Sequence, residues 1–254
     1  MIKFCALSSG SKGNSIYIES ENTRVLVDIG LSALQIRKRL ESIGVNSAEL
    51  DAIVLTHAHR DHVQGVGVFS RQFNTPIYGH PETLQSIAHY FKKKEPRIPW
   101  DGPFDIGDLH FSPFRVSHDA FPTVGYRIEQ GTTSLAVCTD LGHVTREVTE
   151  NLLNVQALII ESNHDPDMLM NGPYPWELKE RIASRVGHLS NHDTGLLLKN
   201  ILGLRLKQIC LAHLSDENNT PQTARETVLE YIGESQRELV SVLEQRTVSP
   251  VYTI

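Results

Sequence analysis

The sequence predicts an α/β protein in which two sheets pack face to face and helices cover their outer faces. Three observations lead there. Strand-like segments come first as a run and then alternate with helical ones. One strand, 52–55, is apolar at every position and so needs cover on both faces. The 254 residues suffice for a large buried core, and no linker, low-complexity tract or strong repeat divides them. One domain over 1–254 is the expectation.

Taken in order, 2–7, 15–19 and 23–28 read as strands joined by turns containing Gly10, Gly13 and Asn22. Residues 32–43 have a helical pattern, with Ser32 as N-cap and Gly44 as terminator. The short strand 52–55 ends abruptly in Thr56-His57-Ala58-His59-Arg60-Asp61-His62. Further strands are expected at 111–116, 124–129, 134–139, 157–161 and 208–211, and late strands in the tail from Glu238. Helices are expected around 176–186, 194–202 and 221–232. The run Lys92-Lys93-Lys94 reads as a solvated helix end rather than a nucleic-acid contact.

Composition narrows the class of protein. With 40% hydrophobic and 21% charged residues and a net charge of −6, the chain reads as soluble and globular, not disordered. A protein that coats DNA would usually be basic, but an enzyme gripping nucleic acid locally through metals need not be. No apolar run reaches the length of a membrane span, and the apolar start over 1–7 is too short for a signal peptide. Cys5, Cys138 and Cys210 lie far apart in apolar stretches, as buried strand residues in a reduced compartment do. A cytoplasmic protein is expected.

The chemistry concentrates in His57-x-His59-x-Asp61-His62, four ligand-type residues within six positions directly after a buried strand. Imidazole and carboxylate together suit Zn²⁺, Mn²⁺ or Fe²⁺. A tight turn after a rigid strand can aim His57 and His59 at one ion and Asp61 and His62 at another. A lone histidine is usually structural; four such residues that packing does not require are not.

This pattern resembles the signature of the metallo-β-lactamase superfamily, which implies a four-layer αββα sandwich of two mixed sheets. Other segments carry the same resemblance. Asp28, ending Val25-Leu26-Val27-Asp28, is similar to an early aspartate that supports the metal loop. His118 in Val116-Ser117-His118-Asp119 resembles a third ligand of the first metal. Asp140 in Cys138-Thr139-Asp140-Leu141-Gly142 resembles a bridging carboxylate, and His213 in Leu211-Ala212-His213 a last ligand of the second metal. The resemblance thus implies His57, His59, His118 and Asp140 on one ion, and Asp61, His62, Asp140 and His213 on the other. Two divalent ions per chain follow, Zn or Mn before Fe, with a metal-bound hydroxide as nucleophile and Asp61 counted among the catalytic residues. Such a pair serves phosphodiester and carboxylic-ester hydrolysis equally.

Two further segments are similar to the YycJ/WalJ-like branch, regarded as single-domain DNA exonucleases acting from the 5′ end. They are Leu7-Ser8-Ser9-Gly10-Ser11-Lys12-Gly13-Asn14 and Gly187-His188-Leu189-Ser190-Asn191. Glu161-Ser162-Asn163-His164-Asp165, and Tyr174-Pro175 ahead of a helix with Lys179, Arg181 and Arg185, fit the same branch. The branch implies a nucleic-acid partner, DNA with a 5′ end. His188 is then the expected catalytic residue outside the metal set. Ser9, Ser11, Asn14, Ser190 and Asn191 are the expected phosphate contacts, through a sharply turning glycine loop and a helix start. The plainer readings are that a Gly/Ser turn is only a turn and that Ser190 or Asn191 caps a helix. His143 and His164 are expected near the pocket, and His80, His89, His110 and His192 are taken as structural or surface residues.

Other functions use the same scaffold. A glyoxalase II-like thioesterase or a lactonase shares the ligand set, and an RNA-processing nuclease is a second alternative. Di-iron flavoproteins carry glutamate where His59 stands here. A binding module with a dead site would have lost a ligand, and none is missing.

Overall fold

The computed structural model describes residues 1–92 and 95–254, so Lys93 and Lys94 of the lysine run lie outside the described residues. In the first sheet β1 (Lys3–Ser8), β2 (Ser15–Glu19) and β3 (Arg24–Val27) run antiparallel. Then β4 (Ala52–Val54), β5 (Ile77–Gly79) and β6 (Arg97–Pro99) extend it in parallel. The second sheet repeats the plan. Its antiparallel part is β7 (Phe104–Ile106), β8 (Leu109–Arg115), β9 (Val124–Gln130) and β10 (Thr133–Cys138). Its parallel part continues from β10 through β11 (Ala157–Glu161), β12 (Gln208–Ala212) and β13 (Val240–Val242). Finally β14 (Tyr252–Thr253) crosses back to pair with β1, giving seven strands in each sheet among the described residues. The helices are α1 (Ala33–Ser42), α2 (Arg60–Val63), α3 (Val66–Phe73), α4 (Pro81–Ser86), α5 (Arg146–Leu152), α6 (Pro166–Asn171), α7 (Trp176–Ile182), α8 (Asn191–Ile201) and α9 (Pro221–Ile232).

The alternation of side chains along each strand sorts the core into layers. Phe4 and Ala6 of β1 face the central core, where Tyr126, Val137 and Ile159 of the second sheet meet them. Cys5 and Leu7 face outward and join Ile36 and Leu40 of α1 and Phe69 of α3. Along β11, Ala157 and Ile159 turn inward, while Leu158 and Ile160 pack with Leu198 of α8 and Val228 of α9. Helix, sheet, sheet and helix therefore stack in four layers, as the sequence predicts.

Several elements depart from expectation. Strands β5, β6 and β7 have three residues each, too few to display a period. Helices α2 to α6 were likewise not anticipated. The helix expected over 176–186 stops at Ile182, because the chain doubles back there. A Cβ on Gly187 would lie 2.2 Å from the carbonyl oxygens of Arg181 and Ile182. The His188 N–H donates to the Ile182 carbonyl at 2.9 Å. Conversely α8 begins at Asn191 rather than Thr194, capped by Ser190.

Three residues that follow these strands share an unusual backbone. Asp28, Asp140 and His213 have φ of 62°, 57° and 56°, the left-handed region that is uncommon outside glycine, although Asn, Asp and His enter it more readily than other residues. They come after β3, β10 and β12. Strain of this kind persists only where the surroundings enforce it, and it gathers at functional sites.

Candidate metal centre

The turn after β4 is anchored from below. Asp28 accepts from the Thr56 N–H at 2.9 Å and from its hydroxyl at 2.7 Å. It also accepts from His62 Nδ1–H at 2.7 Å. This fixes the tautomer of His62 and leaves Nε2 as its lone-pair nitrogen. Asn14 and Gly30 bracket the turn. The Asn14 N–H donates to the Asp61 carbonyl at 2.8 Å, and a Cβ on Gly30 would fall 1.7 Å from that same oxygen. Only glycine admits so close an approach.

The other ligand-type residues arrive from the second sheet. His62 Nε2 lies 3.1 Å from Asp140 Oδ2 and 3.5 Å from Asp61 Oδ2. His118 donates Nδ1–H to the Gly187 carbonyl at 3.0 Å, and its Nε2 is 3.3 Å from His59 Nδ1. His213 Nε2 is 3.5 Å from Asp61 Oδ2 and 3.7 Å from Asp140 Oδ1. Their ligand atoms gather into overlapping groups, His57-His59-His118, His57-His62-Asp140 and Asp61-His62-His213, each within 4.8 Å. All seven residues named from the sequence thus meet at one place.

The charges in this cluster call for cations. Burial disfavours protonated His62, yet Asp140, Asp28 and Asp61 outweigh it and raise the imidazole well above its ordinary pKa. His213 is raised against burial by Asp140, Asp61 and Glu161. His57 goes the other way, lowered by burial and by His62. Buried His57 Nε2 has no hydrogen-bond partner, and Asp140 Oδ2 and His213 Nε2 have only the ion-pair neighbours named above. Orphaned lone pairs amid buried carboxylates suit divalent cations, which would take over the charge that protons otherwise supply.

Glu161 was quoted from the sequence only within a branch motif, yet it lies at the centre of the site. It ends β11, is fully buried, and accepts Nδ1–H from both His188 and His213 at 2.8 Å through Oε1. Its Oε2 accepts from the N–H groups of Leu141 at 2.7 Å and Leu189 at 3.1 Å. Burial would push its carboxyl up; His188 and His213 prevail and hold it at about 2. A carboxylate ending a buried apolar strand needs partners, and that was the available signal. Asp119 was also missed: Oδ1 is 3.4 Å from His59 Nε2 and 3.3 Å from His118 Nε2, while Oδ2 accepts from Arg181 Nε at 2.7 Å.

Most of the expected phosphate contacts are engaged elsewhere. Ser9 is buried and its Oγ accepts from the His213 N–H at 2.8 Å. Asn14 accepts from the Gly10 N–H at 2.8 Å, and its Nδ2 lies 3.0 Å from His62 Nε2. The glycine loop spends its N–H groups internally: Ser9 donates to Glu244, Lys12 to Gln245 and Gly13 to Gly10. Ser190 caps α8. Asn191 is fully buried, bonded to Ser162 at 2.7 Å and Asn219 at 2.9 Å. Ser11 alone of the five lies exposed on the wall of a cleft. Ser9, Asn14 and Asn191 meet partners from distant parts of the chain, whereas Ser190 is taken up locally by its own helix.

The remaining histidines divide similarly. His143 is bonded to the Arg185 carbonyl at 2.9 Å. His164 is buried, and burial lowers it to about 4. His80 caps α4, His110 pairs with Asp105 and His192 with Tyr231. Cys5, Cys138 and Cys210 are free and buried.

Residues 23–213 match the family model described as a beta-lactamase superfamily domain. The chain belongs to that superfamily. Within it, the chain is 37% identical to the exodeoxyribonuclease WalJ of Streptococcus pneumoniae serotype 2, over 92% of this chain and 89% of that one. It is 34% identical to the exodeoxyribonuclease YycJ of Bacillus anthracis, over 92% and 90%. The fold is also that of the metallo-beta-lactamase fold protein YhfI from Bacillus subtilis, with a TM-score of 0.75, 18% identity and coverage of 97% and 98%. This superfamily member is a metal-dependent hydrolase, and the convergent imidazoles and carboxylates form groups able to hold divalent metals. Among the described residues no helix is long and apolar enough to cross a membrane.

Proposed function

We propose that the protein is a two-metal phosphodiesterase that shortens DNA from a 5′ end. The observation that carries the substrate class is the 34–37% identity, over nine tenths of the chain, to relatives named exodeoxyribonucleases. His57, His59, His118 and Asp140 would hold one ion; Asp61, His62, Asp140 and His213 would hold the other, Zn²⁺ or Mn²⁺ in each case. When bound, such a pair supplies an acidified water and stabilises charge on a phosphodiester. The chain's own residues do the rest. Asp28 orients His62, and Glu161 orients His213 and His188 through one shared oxygen. His188, whose Nδ1 is taken by Glu161, holds a proton for the leaving oxygen. An unperturbed histidine titrates near neutrality, and against burial Glu161 raises His188 above that, which keeps the proton in place. Ser11, exposed on the cleft wall, is the one expected phosphate contact retained.

End-labelled single- and double-stranded DNA, RNA and a thioester, each with Mn²⁺ or Zn²⁺, test the reading. The expected result is progressive loss from 5′-labelled DNA, stopped by chelator. Thioester hydrolysis without cleavage of any nucleic acid would move the assignment to a glyoxalase II-like enzyme. Metal analysis should approach two ions per chain, and Asp140→Ala should weaken both sites; one ion, unaffected by that change, would refute the bridge.

A further inference from the structure

Beside the metal centre lies a cavity of about 190 Å³ to which the metal ligands contribute no wall. His188 and Asp119 form the wall it shares with the centre; the His188 ring is 5.1 Å from that of His118 and 5.2 Å from that of His213. The far wall belongs to α7 and the residues just before it. Tyr174, Leu178 and Ile182 give it an aromatic and apolar surface, and Ser215 gives it a hydroxyl beside the phosphate contact Ser11. Arg181 lines it too, its guanidinium held by Asp119 while its side chain stays 60% exposed. The volume corresponds to about six water molecules. That is room for one heterocyclic ring system.

We infer that this cavity seats the base of the terminal nucleotide, stacked on Tyr174. The inference rests on the nuclease reading above and deepens it. A nucleobase needs an apolar, preferably aromatic, surface for its face and polar groups for its edge, and its backbone needs a cation nearby. The cavity offers all three next to the groups that would act on the adjoining phosphodiester. A simple acyl group would use only the apolar wall. A one-base seat also gives a reason for attack at an end: an internal nucleotide would have to leave its stack on both sides to enter it, a terminal one on a single side.

The test is a double-mutant cycle across the proposed contact. Metal-loaded protein is titrated, by fluorescence anisotropy, with single strands that carry a non-hydrolysable terminal linkage and either an intact or an abasic terminal residue at the end attacked. Base–aromatic stacking predicts that removing the base weakens binding by about 5- to 150-fold. Tyr174→Ala should weaken binding of the intact strand to a similar extent and cause no further loss with the abasic one. Tyr174→Phe should restore the preference. Equal affinity of the unaltered protein for the two strands, or independent and additive losses in the cycle, would overturn the inference even if DNA is cut. Failure of the metal-loaded protein to bind or cut any nucleic acid would overturn it together with the nuclease reading, and is recognised because cleavage assays on the unaltered protein fail as well.

Discussion

The turn that follows β4 and the segment that leads into α8 border the same centre on opposite plans. In the turn, His57, His59, Asp61 and His62 all reach the cluster, and the backbone beneath is pinned by Asp28 and Asn14. In the segment 187–191 Gly187 and His188 line the cleft, and only His188 brings a side chain to it. Leu189 packs in the outer core, Ser190 caps a helix, and Asn191 is sealed among Ser162 and Asn219. The difference teaches that nearness to a centre does not make a whole segment functional. The turn spends its side chains on the centre and borrows support from elsewhere; the segment spends most of its side chains on support so that one can be presented.

That contrast can be broken at graded cost. The largest effect is expected in the turn. His62→Ala removes a ligand and leaves the buried Asp28 carboxylate with Thr56 alone, so metal content and turnover should both collapse. Retention of full metal content, read by elemental analysis, would mean that the turn does not carry the centre. His188→Ala should keep its metals yet lose on the order of 10²–10⁴ in turnover if it is the general acid. The loss should be far greater for a poor leaving group than for a good one, and equal losses would reduce His188 to holding the phosphate.

Support residues should give smaller effects. Asp28→Asn should weaken metal affinity by about 10- to 100-fold, measured by competition with a chromophoric chelator. Asn191→Ala leaves the buried amide of Asn219 and the Ser162 hydroxyl short of a partner. It should cost about 1–3 kcal/mol in denaturant unfolding with metal content unchanged. A loss of activity from Asn191→Ala without loss of stability would return Asn191 to the substrate contacts. Ser190→Ala should be mildest, about 1 kcal/mol for a lost helix cap.

Much of this could be read before any tertiary information. The strand at 157–161 and the helix at 221–232 have the bounds expected, because a continuous apolar run and a proline-initiated amphipathic stretch each declare themselves locally. The ligand turn was equally legible, since four polar residues after an apolar strand have no packing reason to be there. Glu161 was harder. Its partners His188 and His213 lie 27 and 52 residues away, and nothing local says that one carboxylate will serve two imidazoles. Arg181 and Asp119 meet across 62 residues for the same reason.

By itself, then, the sequence determined what depends on neighbouring residues: the order of strands and helices, the apolar layers, and which side chains are chemically able to bind metal. Periodicity and ligand chemistry are local properties, so they survive without a fold. Tertiary structure alone decided which polar groups remain available for chemistry. Ser9, Asn14 and Asn191 differ little in kind from Ser11, but the first three meet His213, His62 and Asn219 in the packed chain and Ser11 stays at the surface. A buried polar group must find a partner, and which partner it finds is set by distant segments brought together on folding.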